Sequence, residues 1–303
     1  MEENQLAHTN SSSQVSTAAR IESVCANCKR PLATSDRFCN DCGAKVIDKR
    51  LTMGFLFTEA KESFFSLDSN RPLLTFIHLF TRPEEVIGGY INGVRRKYIN
   101  AFGYFTIAIT LSSFFYFVIF KLYPNAFDAL YANQDFSDPQ IQMQQEIQRT
   151  IFEYQSVIFF VAIPFLALLS RLVFLKNKRY NFAEHLIINL YGYAQVSIVS
   201  IMVYSLTAWS PEIFRIAIFS AFAIQLGYYF YILKRLFEIS WKKMIIKTLV
   251  FLAILVPIYI GVSILVFAIL AITGAIDFQE MIEAERAKRA VSYIASSVIN
   301  WTS

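Results

Sequence analysis

Residues 95–120 read RRKYINAFGYFTIAITLSSFFYFVIF. Three cations, Arg95, Arg96 and Lys97, stand directly before a run from Ile99 to Phe120 that contains no Asp, Glu, Lys, Arg or His. About 20 mostly apolar residues suffice to cross a bilayer, and Lys and Arg beside a span mark its cytoplasmic end. The segment therefore predicts a membrane span that begins on the cytoplasmic side.

The rest of the chain repeats the pattern. Further spans are expected near 154–175, with Pro164, near 184–206, near 213–233 and near 245–272, with Pro257 and Gly261. The last exceeds the length a bilayer requires, so a bend, tilt or protrusion must absorb the excess. Composition agrees. Of 303 residues, 55% are hydrophobic and 17% charged, against about 25% charged in soluble domains, and the mean hydropathy is +0.42. Phe occurs 29 times beside 10 Gly. These values exclude a disordered, collagenous or disulfide-scaffold protein and argue against a soluble two-domain enzyme.

The few charges orient the bundle. Arg171, Lys176, Lys178 and Arg179 lie between the second and third spans, and Lys234, Arg235, Lys242, Lys243 and Lys247 between the fourth and fifth. With five spans these share a side with Arg95–Lys97. The opposite side has Asp128, Asp135, Asp138, Glu146 and Glu153 in a polar loop, 121–153, with only Lys121 and Arg149 against them. The N-terminus is expected in the cytoplasm and the C-terminus outside. Residues 1–20 are polar, lack the apolar core of a signal peptide and read as a disordered leader. Residues 276–303 place Ala287, Val291, Ile294, Val298 and Trp301 at helical spacing, as in an amphipathic tail.

All four cysteines, Cys25, Cys28, Cys39 and Cys42, fall within 21–47 in the pattern C-x2-C-x10-C-x2-C. Each C-x2-C aims two thiolates at one ion, and Gly43 offers the permissive backbone such a turn needs. So small a unit cannot bury a core without a metal or disulfides. A reducing cytoplasm favours zinc over disulfides, with iron and a redox dithiol as the other readings. Four thiolates close a tetrahedral site, so the zinc would be structural. Nucleic acid is not an expected partner: Lys29, Arg30 and Arg37 alternate with Asp36 and Asp41, without an aromatic platform. The partners expected are the lipid bilayer and a cytoplasmic protein met by the ribbon.

Residues 48–98 interleave Phe55, Phe57, Phe64 and Phe65 with Glu59, Lys61, Glu62 and Asp68. Two readings stand: amphipathic helices at the membrane interface, or a small soluble helical unit.

Pro83 to Tyr98, PEEVIGGYINGVRRKY, followed by a span, and Tyr180 to Tyr191, YNFAEHLIINLY, complete a pattern with the cysteine ribbon. Over about residues 25–210 the chain resembles the bacterial family called domain of unknown function 3667. The resemblance implies an integral protein of the bacterial inner membrane and no established activity. Its motif residues here are the four cysteines with Tyr90, Gly93, Arg95, Tyr98, Glu184 and His185. Family members often carry Pro after the Asn that follows the block, where this chain has Ala101.

The expected fold is an all-α polytopic membrane protein of about five transmembrane helices with a small N-terminal four-Cys zinc ribbon. Glu184 and His185 have two readings. Glu184 suits the first turn of a helix, where the dipole favours an anion; alternatively the two form a metal or proton site with Arg171 or Arg179. The spans show no mid-membrane Asp, Glu or His of the sort ion-coupled transporters bury, only Asn189, Gln195, Gln225, Ser and Tyr. A non-enzymatic scaffold follows best, then a solute or lipid transporter, then a membrane enzyme using Glu184 and His185.

Overall fold

The computed structural model describes residues 21–33, 35–46, 50–63, 71–122, 139–272 and Arg286. The expected leader, and all of the expected tail but Arg286, lie outside the described residues. The first unit is a two-stranded antiparallel sheet, β1 (Ile21–Val24) with β2 (Pro31–Ala33), continued by a bridge between Phe38 and Lys45. Among the described residues, the elements after it are helices: α1 (Met53–Ser63), α2 (Arg71–Thr81), a π-helical turn (Glu84–Gly88), α3 (Gly89–Ile91), α4 (Ala101–Leu122), α5 (Pro139–Glu153), α6 (Gln155–Val173), α7 (Phe182–Thr207), α8 (Pro211–Phe237) and α9 (Trp241–Ile272).

A helix stands at each expected span. Four, α4, α7, α8 and Trp241–Leu265 of α9, are long and apolar enough to cross a membrane; α6 carries a shorter apolar stretch, Val157–Val173. The expected loop 121–153 contains a helix in α5. Its Gln residues, read as polar linker, are good helix formers, and Pro139 takes the first helical position, where its missing N–H costs nothing.

Helix α7 is the centre of the bundle. Half of its apolar window is buried by protein, against 6% for α9. Ile187, Ile188, Tyr191 and Ala194 are fully enclosed. The outer faces of the other helices carry Phe114, Phe117, Phe160, Phe219 and Phe222, all exposed, as a lipid-facing surface requires. That is where much of the Phe excess goes.

Asn100 caps α4. Its side chain accepts from the Gly103 N–H at 2.7 Å, and a Cβ at Gly103 would stand 3.1 Å from that same oxygen. The helix therefore starts cleanly, with Ala101 fully buried at its first position.

Described residues of 50–98 join the bundle's own core: Leu51, Leu56, Leu79, Val86, Ile87, Tyr90 and Tyr98 are buried in one cluster with α4, α6, α7, α8 and α9. Helix α2 is clamped from several sides. Gln195 of α7 donates to the Phe76 carbonyl (3.1 Å), and the Tyr228 and Tyr231 hydroxyls of α8 donate to those of Leu79 and Phe80 (both 3.0 Å). The last carbonyls of a helix have no partner inside it, so the two tyrosines supply what α2 lacks.

Three connections meet at one end of the bundle. Arg179, before α7, pairs with Glu238, after α8, at 2.7 Å. Arg235 at the end of α8 pairs with Glu84 of the π-turn, and Tyr191 donates to the Ile99 carbonyl before α4 at 2.7 Å. The basic loops expected to share a side thus share an end of the bundle.

Candidate functional site

The two C-x2-C turns are built alike. In the first, the Lys29 N–H donates to the Cys25 carbonyl (2.9 Å) and the Cys25 N–H to that of Arg30 (2.7 Å). In the second, the Gly43 N–H donates to the Cys39 carbonyl (2.7 Å) and the Cys39 N–H to that of Ala44 (2.8 Å). The residue after the second cysteine is left-handed in both, φ 67° at Lys29 and 62° at Gly43. Glycine meets this conformation without cost; the spacing alone did not reveal that Lys29 adopts it as well.

The turns bring the four sulfurs within 4.8 Å of one another. Cys25 and Cys42 sulfurs are 3.7 Å apart, and those of Cys28 and Cys39 are 3.5 Å apart. None is in a disulfide. Thiolates about 2.3 Å from a tetrahedral ion lie roughly 3.8 Å from each other, so the arrangement suits one metal ion. Backbone N–H groups of Cys42 and Asp41 draw the Cys39 thiol down to about 7. At Cys28 the Arg30 N–H pulls the same way, but burial and the three other sulfurs outweigh it and push the thiol up to about 12. Leu32 and Ala44 complete a small core of their own.

This unit is seated on the bundle. The Asn27 side chain, inside the first turn, accepts from the Arg96 backbone at 3.3 Å. Above the second turn, the Arg96 guanidinium lies 3.2 Å from where a Cβ on Gly43 would be. Lys45 and Arg95 lie on the Phe55 ring, at 5.9 and 5.7 Å from its centroid.

The motif around Tyr90 is a reversal of the chain. Gly93 takes φ 94°, which an L side chain rarely adopts, and its N–H donates to the Tyr90 carbonyl at 3.2 Å. The reversal lays the Arg95 guanidinium 3.8 Å from the Tyr90 ring centroid, with Nη1 donating to the Tyr90 carbonyl. Tyr90 in turn meets Tyr191 edge-on at 5.9 Å.

Tyr98 joins a second cluster. Its hydroxyl is 2.7 Å from His78 Nδ1 and 3.4 Å from Glu85, whose carboxylate also accepts from Lys97 (3.1 Å) and Arg82 (3.4 Å). The Lys97 ammonium holds Glu85 below the ordinary carboxylate value, and burial pushes Tyr98 up.

Glu184 and His185 diverge. The fork of Arg50 donates to both oxygens of Glu184 (2.8 and 2.7 Å), and Asn181 and Glu184 form a reciprocal cap on α7. Neither Arg171 nor Arg179 is that partner; Arg50 also donates to the Arg179 carbonyl. His185 turns instead to Ser170 of α6, with Nδ1 2.8 Å from its oxygen. Ser170 Oγ also lies 3.0 Å from the Ala167 carbonyl and accepts from Asn189 at 3.4 Å. Adjacent residues on a helix do not face each other, and these two obey the rule. Arg50, Glu85 and His78 went unrecognised in the sequence: lone charges in a mixed segment give no periodic signal.

Residues 70–113 match the model of a protein family of unknown function (DUF3667), the family the chain resembles. That stretch holds α2, the π-turn, the Tyr90 reversal, Tyr98 with its partners and the first half of α4. The cysteines and the Glu184–His185 pair lie outside it. No curated protein and no solved structure matches the chain.

Proposed function

We propose that this membrane protein is a non-enzymatic scaffold of the bacterial inner membrane, with a zinc ribbon presented at the cytoplasmic face to a protein partner. The observation that carries the reading is the seating of the four-Cys unit on Arg96. The ribbon is positioned by the membrane bundle, as a recognition surface requires. Zinc suits four thiolates at these separations, and the closed set leaves no position for substrate. The basic end of the bundle faces the cytoplasm by the positive-inside rule, which keeps the thiols reduced.

Three observations weigh against the other readings. Glu184 is committed to Arg50 and to its cap. Gln195, one of the few polar side chains within the spans, accepts from the Tyr104 hydroxyl and donates to the Phe76 carbonyl. The apolar cleft beside it encloses only about 80 Å³.

Two measurements test the proposal. Elemental analysis of the purified full chain is expected to find about one zinc per chain, and none in Cys39→Ser. Affinity purification from cells is expected to recover proteins with the full chain that Cys39→Ser loses. Identical protein sets from the two would overturn the scaffold reading, and a zinc-free wild type would overturn the metal assignment.

A further inference from the structure

Where the π-turn, the α6–α7 loop and the end of α8 meet, they enclose a polar cleft of about 580 Å³. Small-ligand sites have volumes of about 300–1,000 Å³. Arg179, Lys234 and Arg235 line it together with Glu84, Glu238 and Asn92.

Two unusual pieces of backbone build the walls. Glu84 opens a π-helical turn, a form that is rare and concentrates at functional sites. Glu238 ends α8 in the left-handed region, φ 53°, where helices ordinarily place glycine. A non-glycine residue there is strained and persists where its surroundings hold it. Each irregularity brings a carboxylate to the rim, and each carboxylate holds an arginine in place: Glu84 holds Arg235, and Glu238 holds Arg179. Lys234 is different. It lies over the Trp241 ring, 4.6 Å from the centroid, and forms no ion pair among the described residues. The cleft thus carries three cations against two carboxylates, and the surplus charge sits on Lys234.

We infer that this cleft binds a phosphoryl group, with Lys234 as its principal cation and the two oriented arginines as flanking donors. Guanidinium forks and an ammonium are the groups that recognise phosphate oxygens. The cleft opens where the spans end, at the depth of phospholipid headgroups. A lipid headgroup and a small soluble phosphoester present the same chemistry.

Ligand-induced thermal shifts of the full chain in detergent distinguish them. The probes are a short-chain phosphatidylglycerol and inorganic phosphate, and the proteins are wild type, Lys234→Gln, Lys234→Arg and Lys97→Gln. A saturable shift with the lipid alone identifies a headgroup site; a shift with both, or with phosphate alone, identifies a phosphoryl site open to soluble esters. In each case Lys234→Gln is expected to weaken binding about tenfold, the scale of one charge-assisted contact. Lys234→Arg, which keeps the charge, and Lys97→Gln, which removes a cation elsewhere, are expected to bind as wild type does. No shift with either probe overturns the inference. So does an equal loss in Lys234→Gln and Lys97→Gln, which would mean diffuse attraction to a basic face.

Discussion

The guanidinium of Arg50 grips both oxygens of Glu184, 134 positions away, and ties the segment after the ribbon to the first turn of α7. Glu184 is almost wholly buried, its side chain 3% exposed, whereas that of Arg50 is 53% exposed. The asymmetry decides what removal costs. Losing Arg50 leaves a buried carboxylate with only its cap partner, and losing Glu184 leaves a cation that water can solvate.

Arg50→Gln is therefore expected to destabilise the protein by about 2 kcal/mol, the scale of a hydrogen bond to a charged group. Glu184→Gln keeps the shape of the cap and costs less. Because the residues share one interaction, the double variant should fall short of the sum. Unfolding of the three variants in detergent measures this. Additive losses would show that the residues act separately.

At Gly43, two effects of adding a methyl group differ in size. Arg96 would stand 3.2 Å from the new Cβ, but it ends a flexible exposed side chain and can give way. The left-handed backbone cannot, and costs about 1–2 kcal/mol. Gly43→Ala should therefore loosen the second turn, and Arg96→Ala should leave it intact while freeing the seat. Limited proteolysis within residues 35–46 is expected to speed up in both. Elemental analysis should show reduced metal in Gly43→Ala alone.

How far the sequence could be read depended on the range of the interaction. Span positions are properties of continuous hydropathy, so the helices fall within a few residues of expectation. The cysteine cluster depends on spacing within two tight turns and was equally plain. In the sequence only the family resemblance singles out Tyr90, Gly93 and Arg95; the left-handed backbone at Gly93 folds Arg95 over Tyr90 in the structure. Arg50 with Glu184, and Tyr228 with Leu79, join residues more than a hundred positions apart. No local pattern encodes such pairs. That the Tyr228 and Tyr231 hydroxyls complete α2 is likewise a property of the tertiary structure.

Those hydroxyls lead to a further expectation. Tyr228→Phe with Tyr231→Phe keeps the rings and removes two donors from the carbonyls of Leu79 and Phe80. At about 1 kcal/mol for each bond, the end of α2 should open roughly thirtyfold more often. Hydrogen exchange of residues 76–82 is expected to accelerate, with α4 and α7 unchanged. Uniform acceleration across the bundle would mean that the tyrosines support global stability instead.

The π-turn makes stability depend on acid in a defined direction. Arg235 holds Glu84, and Lys97 holds Glu85, below the ordinary value of 4.5. A carboxylate depressed in the folded state binds protons more readily in the unfolded one, so stability rises with pH through that interval. The contribution is complete above about pH 5 and is lost as pH falls through the folded values. Both side chains are more than a third exposed, so the pair together is worth about 1 kcal/mol. Glu84→Gln with Glu85→Gln should lower the unfolding temperature at neutral pH, and the gap from wild type should close as pH falls below about 4. A gap that stays constant across this range would show that the two side chains act by packing, with no part played by their charge.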